Sequence, residues 1–231
     1  MDLDQAASFI AQKKCLPLSV PYLCYIKTPV MKLLTSALIL PAIAALSFMM
    51  PPLEELALNA PVPQADYKMK DVSGKIVSLN ELKTARGLLV IFSCNTCPYV
   101  KLSESRIKEY TDYCLANGVG CILVNSNEAQ RSEDDSFEEM SKYFAAQKLK
   151  CIYAMDEKSQ LANAFGASRT PQCFLFNNKG LIYKGAIDDN VKDPAAVKAP
   201  YLKEALAALV KNEVPKTQET KSIGCTIKRV E

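Results

Sequence analysis

Histidine is absent from the whole 231-residue chain. That removes Cys-His and Ser-His nucleophilic catalysis, histidine-ligated haem and the common histidine-bearing zinc sites. Chemistry therefore falls to Cys, Asp, Glu, Lys, Tyr or the backbone. Blocks of like charge are also missing: the net charge is +3, spread without a run of five or more residues of one sign. No electrostatic footprint for DNA, RNA or an anionic lipid surface stands out, and no nucleic-acid partner is expected. No internal repeat or low-complexity tract appears. With 49% hydrophobic and 23% charged residues, the chain has ordinary globular composition and enough length for one domain with a core of its own. Nine cysteines are more than average, yet far below the density of a disulfide-stapled mini-domain. Their positions carry the information.

Leu33 to Phe48 is a stretch without charge, preceded by Met31-Lys32 and followed by Met49-Met50-Pro51-Pro52. As a helix it would be about 24 Å long, short for a bilayer, and Pro41 interrupts it. A basic start, an apolar centre and the small residues Ala45 and Ser47 fit a secretory signal over 31–48. An uncleaved anchor over residues 33–50 and a buried helix of the fold are the alternatives. Met31 is a more ordinary beginning than Met1, so residues 1–30, with Cys15 and Cys24, are expected to lie upstream of the native product. Export to a periplasmic or cell-envelope location is the expectation, with membrane contact only through an uncleaved anchor. Such a location lets disulfides form and persist.

Residues 49–64 are Pro-rich and read as a linker. Tyr67–Asp71 and Lys75–Leu79 flank Val72-Ser73-Gly74 as a hairpin. Leu88-Leu89-Val90-Ile91-Phe92, continuous and apolar, suits a strand buried on both faces. Helical spacing of Val100, Ile107, Tyr110 and Cys114 follows, stopped by Asn117-Gly118. Cys121–Asn125 is a second buried strand, and Phe137, Met140 and Phe144 mark a helix that Asp135-Ser136 can cap. Cys151–Met155, a short helix from Ser159 to Phe165, the strands Cys173–Phe176 and Leu181–Lys184 around Asn177–Gly180, and an amphipathic helix through Leu202, Leu206 and Leu209 complete a domain over 65–211. A polar tail, 212–231, carries Cys225. Strand-helix alternation argues for an α/β fold with crossover helices.

Cys94 and Cys97, in Phe92-Ser93-Cys94-Asn95-Thr96-Cys97-Pro98, carry the sharpest chemical signal. A cysteine at a helix start meets unpaired N–H groups and the positive end of the helix dipole, which favour the thiolate. Cys94 is taken as that residue, with a lowered pKa and the attacking role, and Cys97, expected to be more buried, as the resolving thiol. Pro98 suits a first helical turn. Two ordinary core cysteines or half of a metal site are the alternatives. A four-thiolate site needs a second close pair, and Cys114, Cys121, Cys151 and Cys173 offer none in sequence, reading instead as inert core residues. No metal and no cofactor beyond the Cys94–Cys97 disulfide are expected.

The order hairpin, strand, CNTCP, helix, strand, helix, Thr-Pro, hairpin, helix resembles the thioredoxin-like superfamily. Within it, the redoxin or AhpC/TSA-type branch is similar through Lys70-Asp71-Val72-Ser73-Gly74-Lys75, Cys94–Val100, Arg169-Thr170-Pro171, Ile187-Asp188-Asp189-Asn190 and Gly224-Cys225-Thr226-Ile227-Lys228. The resemblance implies a central mixed β-sheet flanked by helices, with the N-terminal hairpin as an extension. It further implies a cis Thr170-Pro171 bond beside the dithiol, where the Thr170 backbone would pair with a substrate chain; X-Pro bonds are otherwise mostly trans. Arg169, if close, would stabilise the Cys94 thiolate.

Thioredoxins resemble one another in a buried acid on the strand before the dithiol, and that strand is wholly apolar here. Asp188 is a candidate proton carrier by family position alone, with a solvated loop as the alternative. The Pro-x-x-x-Thr-x-x-Cys pattern by which peroxiredoxins resemble one another is absent. Cys225 either brings a third thiol back to the dithiol on an added strand or is an incidental thiol. The expected activity is thiol-disulfide exchange with thiol or disulfide substrate proteins and an upstream redox partner. A thiol peroxidase, or a non-catalytic thiol or metal-binding module, is the alternative.

Overall fold

The apolar run after Gly87 forms an interior strand of the sheet in the computed structural model of the protein, which describes residues 53–230. The expected upstream segment, the signal or anchor, Cys15, Cys24 and residues 49–52 of the expected linker lie outside the described residues. Strand β3, Leu88–Ser93, is buried along its whole length. Its side chains alternate: Leu88, Val90 and Phe92 enter one hydrophobic cluster, Leu89 and Ile91 the other. The two-residue repeat of a strand thus needs apolar residues at every position when both faces are covered.

Strand β4, Gly120–Asn125, lies parallel to β3 on one side, and β7, Gln172–Phe176, antiparallel on the other. Beyond β4 come β5, Ile152–Met155, and the hairpin of β1, Met69–Asp71, and β2, Ile76–Val77; beyond β7 comes β8, Leu181–Gly185. The sheet order is β2-β1-β5-β4-β3-β7-β8. Asp71 shapes the hairpin turn by accepting the Ser73 and Lys75 N–H groups, each at 2.9 Å, while Gly74 takes φ +86°. Mixed pairing, with the expected N-terminal hairpin, agrees with the expected α/β architecture.

Helices cover both faces. Helix α1, Leu79–Leu82, is closed by a capping box of Ser78 and Glu81. It lies with α4, Gln160–Phe165, over one face through Leu79, Leu161, Ala162 and Phe165. The long α2, Pro98–Ala116, covers the other face with α3, Phe137–Ala146, and α5, Tyr201–Val210, through residues such as Val100, Ile107, Met140 and Leu206. Among the described residues no helix is long and apolar enough to cross a membrane.

Both flanking segments pack on the domain, the tail by the added strand that was one of its two expected readings. Residues 53–64 are docked: Leu56 N–H bonds the Phe165 carbonyl at 3.0 Å, Asn59 N–H bonds the Leu181 carbonyl at 2.9 Å, and Leu56, Leu58 and Val62 pack against the α1/α4 face. Those three apolar side chains would be left in water by a free linker, and their burial favours docking. The tail is docked too. Lys184 N–H bonds the Gln218 carbonyl at 2.9 Å, Thr220 N–H bonds the Lys184 carbonyl at 3.0 Å, and Ile227 is buried. The largely buried Lys184 ammonium reaches Glu55 at 3.2 Å and Glu219 at 3.3 Å, so one cation fastens both segments to β8.

Phe165 is the hub of the α1/α4 face, with its ring 5.3 Å from Phe92, 5.2 Å from Phe174 and 5.9 Å from Phe176, all edge-on. Phe165→Ala is expected to lower the unfolding free energy by about 3–5 kcal/mol, as truncation of a fully buried aromatic does, measured by denaturant unfolding. A loss under about 1 kcal/mol would show that this face collapses around the gap.

Candidate active site

Strand β3 ends at Ser93 and delivers the cysteine loop at its carboxyl edge. Asn95 and Thr96 form a bend, and α2 begins only at Pro98, with Cys97 as its N-cap. This corrects the expected placement. Cys97, not Cys94, occupies the amino end of the helix, because Pro98 sets the first helical residue and leaves the two residues before Cys97 non-helical. Burial differs from expectation as well: Cys94 is 1% exposed and Cys97 3%, so neither sulfur is the open one. Both are free thiols.

The chain returns to them at β6, Arg169–Thr170. The Thr170-Pro171 bond is cis, as the resemblance implied. Thr170 is buried, its hydroxyl lies 3.5 Å from Cys94 Sγ, and its carbonyl accepts a hydrogen bond from the Cys97 thiol at 3.1 Å. One residue thus touches both sulfurs. Pro171, with no N–H to donate, follows directly and hands the chain to β7.

The two thiols are buried together in one cluster and each bears on the other's charge, so the first proton is lost easily and the second with difficulty. Cys97 is held down to about 4, first by the Cys94 thiol, then by Cys225, the Thr170 hydroxyl and the Val100 N–H at the start of α2, all against the cost of burial. The nearby Thr170 carbonyl opposes charge on Cys97, but these donors outweigh it. Cys94 is pushed up by the Cys97 sulfur first, then by burial, with the Asp135 charge adding to it. Charge is favoured on Cys97, which sits at the amino end of α2, whereas the sequence alone places it on Cys94.

Asp135, read from sequence as part of a helix cap, is fully buried beneath the cysteine loop. Its Oδ1 accepts the Asn95 N–H at 2.9 Å and the Asn125 side chain at 2.8 Å, and its Oδ2 accepts the Asn127 side chain at 2.8 Å. The Tyr153 hydroxyl donates to Asn95 Oδ1 at 2.8 Å and accepts from Asn125 at 3.1 Å. The adjacent Ser136 does cap α3. Asp135 thus sets a buried carboxylate under the cysteine loop, on a loop and not on β3. A signal existed in Asn125-Ser126-Asn127: amides at the end of a buried strand require an acceptor.

The remaining candidates go elsewhere. Arg169 is exposed and bonds the Gly224 carbonyl at 3.3 Å and the Thr226 hydroxyl at 3.2 Å, holding the tail and not a sulfur. Asp188 is neither on a solvated loop nor joined to the dithiol by any described hydrogen bond. It is buried in an ion pair with Arg106, whose guanidinium also bonds the carbonyls of Leu102, Asn190 and Val191. Cys225 does come to the dithiol, on β9, Cys225–Thr226, paired antiparallel with β6. Cys114, Cys121 and Cys151, distant in sequence, are buried in one core cluster, and the Cys121 thiol bonds the Thr111 carbonyl. The fold thus builds a second thiol cluster that sequence spacing hid. Among the described residues no group of three or more Cys, Asp or Glu is arranged to hold a metal ion.

The Redoxin family model matches residues 57–201, well over half of the chain. A search of curated proteins finds no match. Among solved structures, a hypothetical protein from Sinorhizobium meliloti 1021 is 29% identical, with 77% of this chain and 97% of that one covered at a TM-score of 0.69. An uncharacterized conserved protein from Geobacillus kaustophilus is 27% identical over 74% of this chain and 93% of that one, TM-score 0.67. A thioredoxin-like protein solved in its oxidized form is 17% identical over 68% of this chain and 99% of that one, TM-score 0.54, a likeness of fold.

Reduced protein is expected to carry one thiolate at neutral pH, visible as ultraviolet thiolate absorbance that fades as pH falls through about 4 and is missing from Cys97→Ser. Because this pKa is depressed, its contribution to the stability of the reduced fold is complete above the ordinary thiol value, about 8.5, and is lost through the folded value on acidification. A wild-type transition near 8.5 instead would mean that the pair shares no proton.

Asp135→Ala strands three buried donors at roughly 1–3 kcal/mol each. Its unfolding free energy should fall by several kcal/mol in denaturant, and a loss under about 1 kcal/mol would mean that the carboxylate does not hold the loop.

Proposed function

The chain belongs to the Redoxin family and has a thioredoxin-like redox function, and on that footing we propose that it is an exported thiol-disulfide oxidoreductase working through Cys94 and Cys97. The observation that carries the reading is two thiols buried in one cluster, with one residue, Thr170, touching both beside a cis proline. Inert core cysteines have no need of that arrangement. The pair shares one proton, so either sulfur is a single transfer from being a thiolate.

In the forward sense, a thiolate of the pair attacks a substrate disulfide and the substrate's second sulfur leaves with the electron pair. The other cysteine then attacks the mixed disulfide, releases the first substrate sulfur and closes Cys94–Cys97. Two electrons pass to the substrate. The reverse sequence oxidises a substrate dithiol, and an upstream redox partner restores the starting state. A thiolate held low stabilises the reduced pair, which shifts its potential toward the oxidising side. Export through residues 31–48 would put the pair where protein disulfides form.

Purified protein is expected to exchange disulfides with an unfolded, reduced or oxidised protein substrate. Cys94→Ser and Cys97→Ser should each lose about a thousandfold or more, and the double variant should be no worse than either, because the two sulfurs act as a unit. A double variant within about tenfold of wild type would sink the reading.

A further inference from the structure

The tail meets the dithiol along the sheet edge that the resemblance assigns to a substrate chain. Thr170 pairs with Cys225 and Arg169 with Thr226 in an antiparallel ladder. Gly224 permits the approach, since a Cβ there would run into the Thr170 carbonyl. Arg169 grips Gly224 and Thr226, Ile227 is buried with its N–H on the Ser168 carbonyl at 3.1 Å, and Lys228 N–H bonds Asn127 Oδ1 at 3.0 Å. Residues 224–228 are therefore seated, and they carry a cysteine to the register position opposite Thr170.

Cys225 packs against the same cluster as Cys94 and Cys97, opposite the Thr170 that touches both sulfurs. Of the three, Cys225 alone is partly exposed; the pair beneath it is sealed, at 1% and 3%. A macromolecular substrate meets Cys225 before it meets either buried sulfur. Thiol-disulfide exchange depends on access as well as on thiolate fraction.

We propose that Cys225 is a third redox cysteine, relaying the disulfide between the buried Cys94–Cys97 pair and a protein dithiol that docks at the tail. The relay rests on the dithiol-exchange reading above and adds the route by which a substrate reaches the pair. In the oxidised protein the Cys225 thiolate attacks Cys97 Sγ. A Cys97–Cys225 bond forms, the Cys94–Cys97 bond breaks, and its electron pair leaves on Cys94, which takes up the proton that Cys225 lost. The three sulfurs keep their total oxidation level, so no outside oxidant enters this step. One thiolate of the substrate dithiol then attacks Cys225 Sγ, the electron pair leaving on Cys97. The second substrate thiol resolves the mixed disulfide, yielding an oxidised substrate and three reduced cysteines. An upstream disulfide reoxidises Cys94–Cys97, and every step runs equally in reverse.

In the reduced protein the Cys225 thiol is pushed up to about 11, by burial first and by Cys97 next. Oxidation of the pair removes the Cys97 charge, so Cys225 ionises more readily in the state in which the relay needs it.

The test uses the full chain. Cys94→Ser, oxidised with diamide and mapped by non-reducing peptide mass spectrometry, is expected to contain an intramolecular Cys97–Cys225 disulfide. Cys225→Ser should still close Cys94–Cys97 with diamide, yet exchange with an unfolded protein dithiol about tenfold or more slowly than wild type. Should Cys225→Ser fail to fold, wild-type protein quenched with acid and alkylated during turnover must contain the Cys97–Cys225 linkage. Absence of that linkage from both preparations, or Cys225→Ser exchanging within about twofold of wild type, overturns the relay. If either result comes while Cys94→Ser and Cys97→Ser are inactive, the dithiol reading stands without the relay. If those two variants are active as well, both fall.

Discussion

A carboxylate that is fully buried must be surrounded by donors, and the one at Asp135 ties its own segment to two others. Asn95 belongs to the cysteine loop, Asn125 and Asn127 to the end of β4, and Asp135 to the approach to α3. Desolvating an acceptor-only group without partners would cost several kcal/mol, so these segments cannot drift independently. The Asn95 N–H is fixed on the carboxylate, and its side chain is gripped by Tyr153 and the Asp134 carbonyl. The bend that separates Cys94 from the helix is therefore held from below, and the presentation of both sulfurs follows from it.

The same constraint bears on their chemistry. Asp135 is near enough to disfavour charge on Cys94, while the start of α2 favours it on Cys97. An acid below and a helix terminus above polarise two chemically identical thiols in opposite senses. Thr170 completes the arrangement from the far side of the fold, reaching one sulfur with its hydroxyl and the other with its carbonyl. Sealing this assembly from water strengthens each of these interactions, and it also leaves both sulfurs hard to reach. The docked tail bears on that conflict, since it covers the edge beside the pair and sets a more accessible thiol on it.

The two flanking segments share one physical logic. Each carries a few apolar residues in a polar context, Leu56, Leu58 and Val62 before the domain and Ile227 after it, and each is pinned through Lys184 or Arg169. Composition averaged over such a segment reads as linker or tail. The individual side chains, placed against a sheet, find surface to bury.

How much was legible follows from how local each determinant is. Continuous apolar strands, the 3.6-residue spacing of the helix after Pro98, the Gly74 turn and the Cys-X-X-Cys spacing all depend on neighbours a few residues away, and the sequence by itself determined them, together with the order of elements that made the fold recognisable. The partners of the site are remote. Asp135 meets Asn95 across 40 residues, Thr170 meets Cys97 across 73, and Arg106 takes Asp188 from across 82. An aspartate on a cap, an arginine beside a Thr-Pro and a cysteine in a polar tail look the same in sequence whether they end in solvent or in the core. Only the tertiary structure decided that Cys97 caps the helix, that Asp135 is buried beneath the cysteine loop and that Cys225 faces the pair, because those outcomes depend on which buried donors and acceptors the folded chain brings within bonding distance.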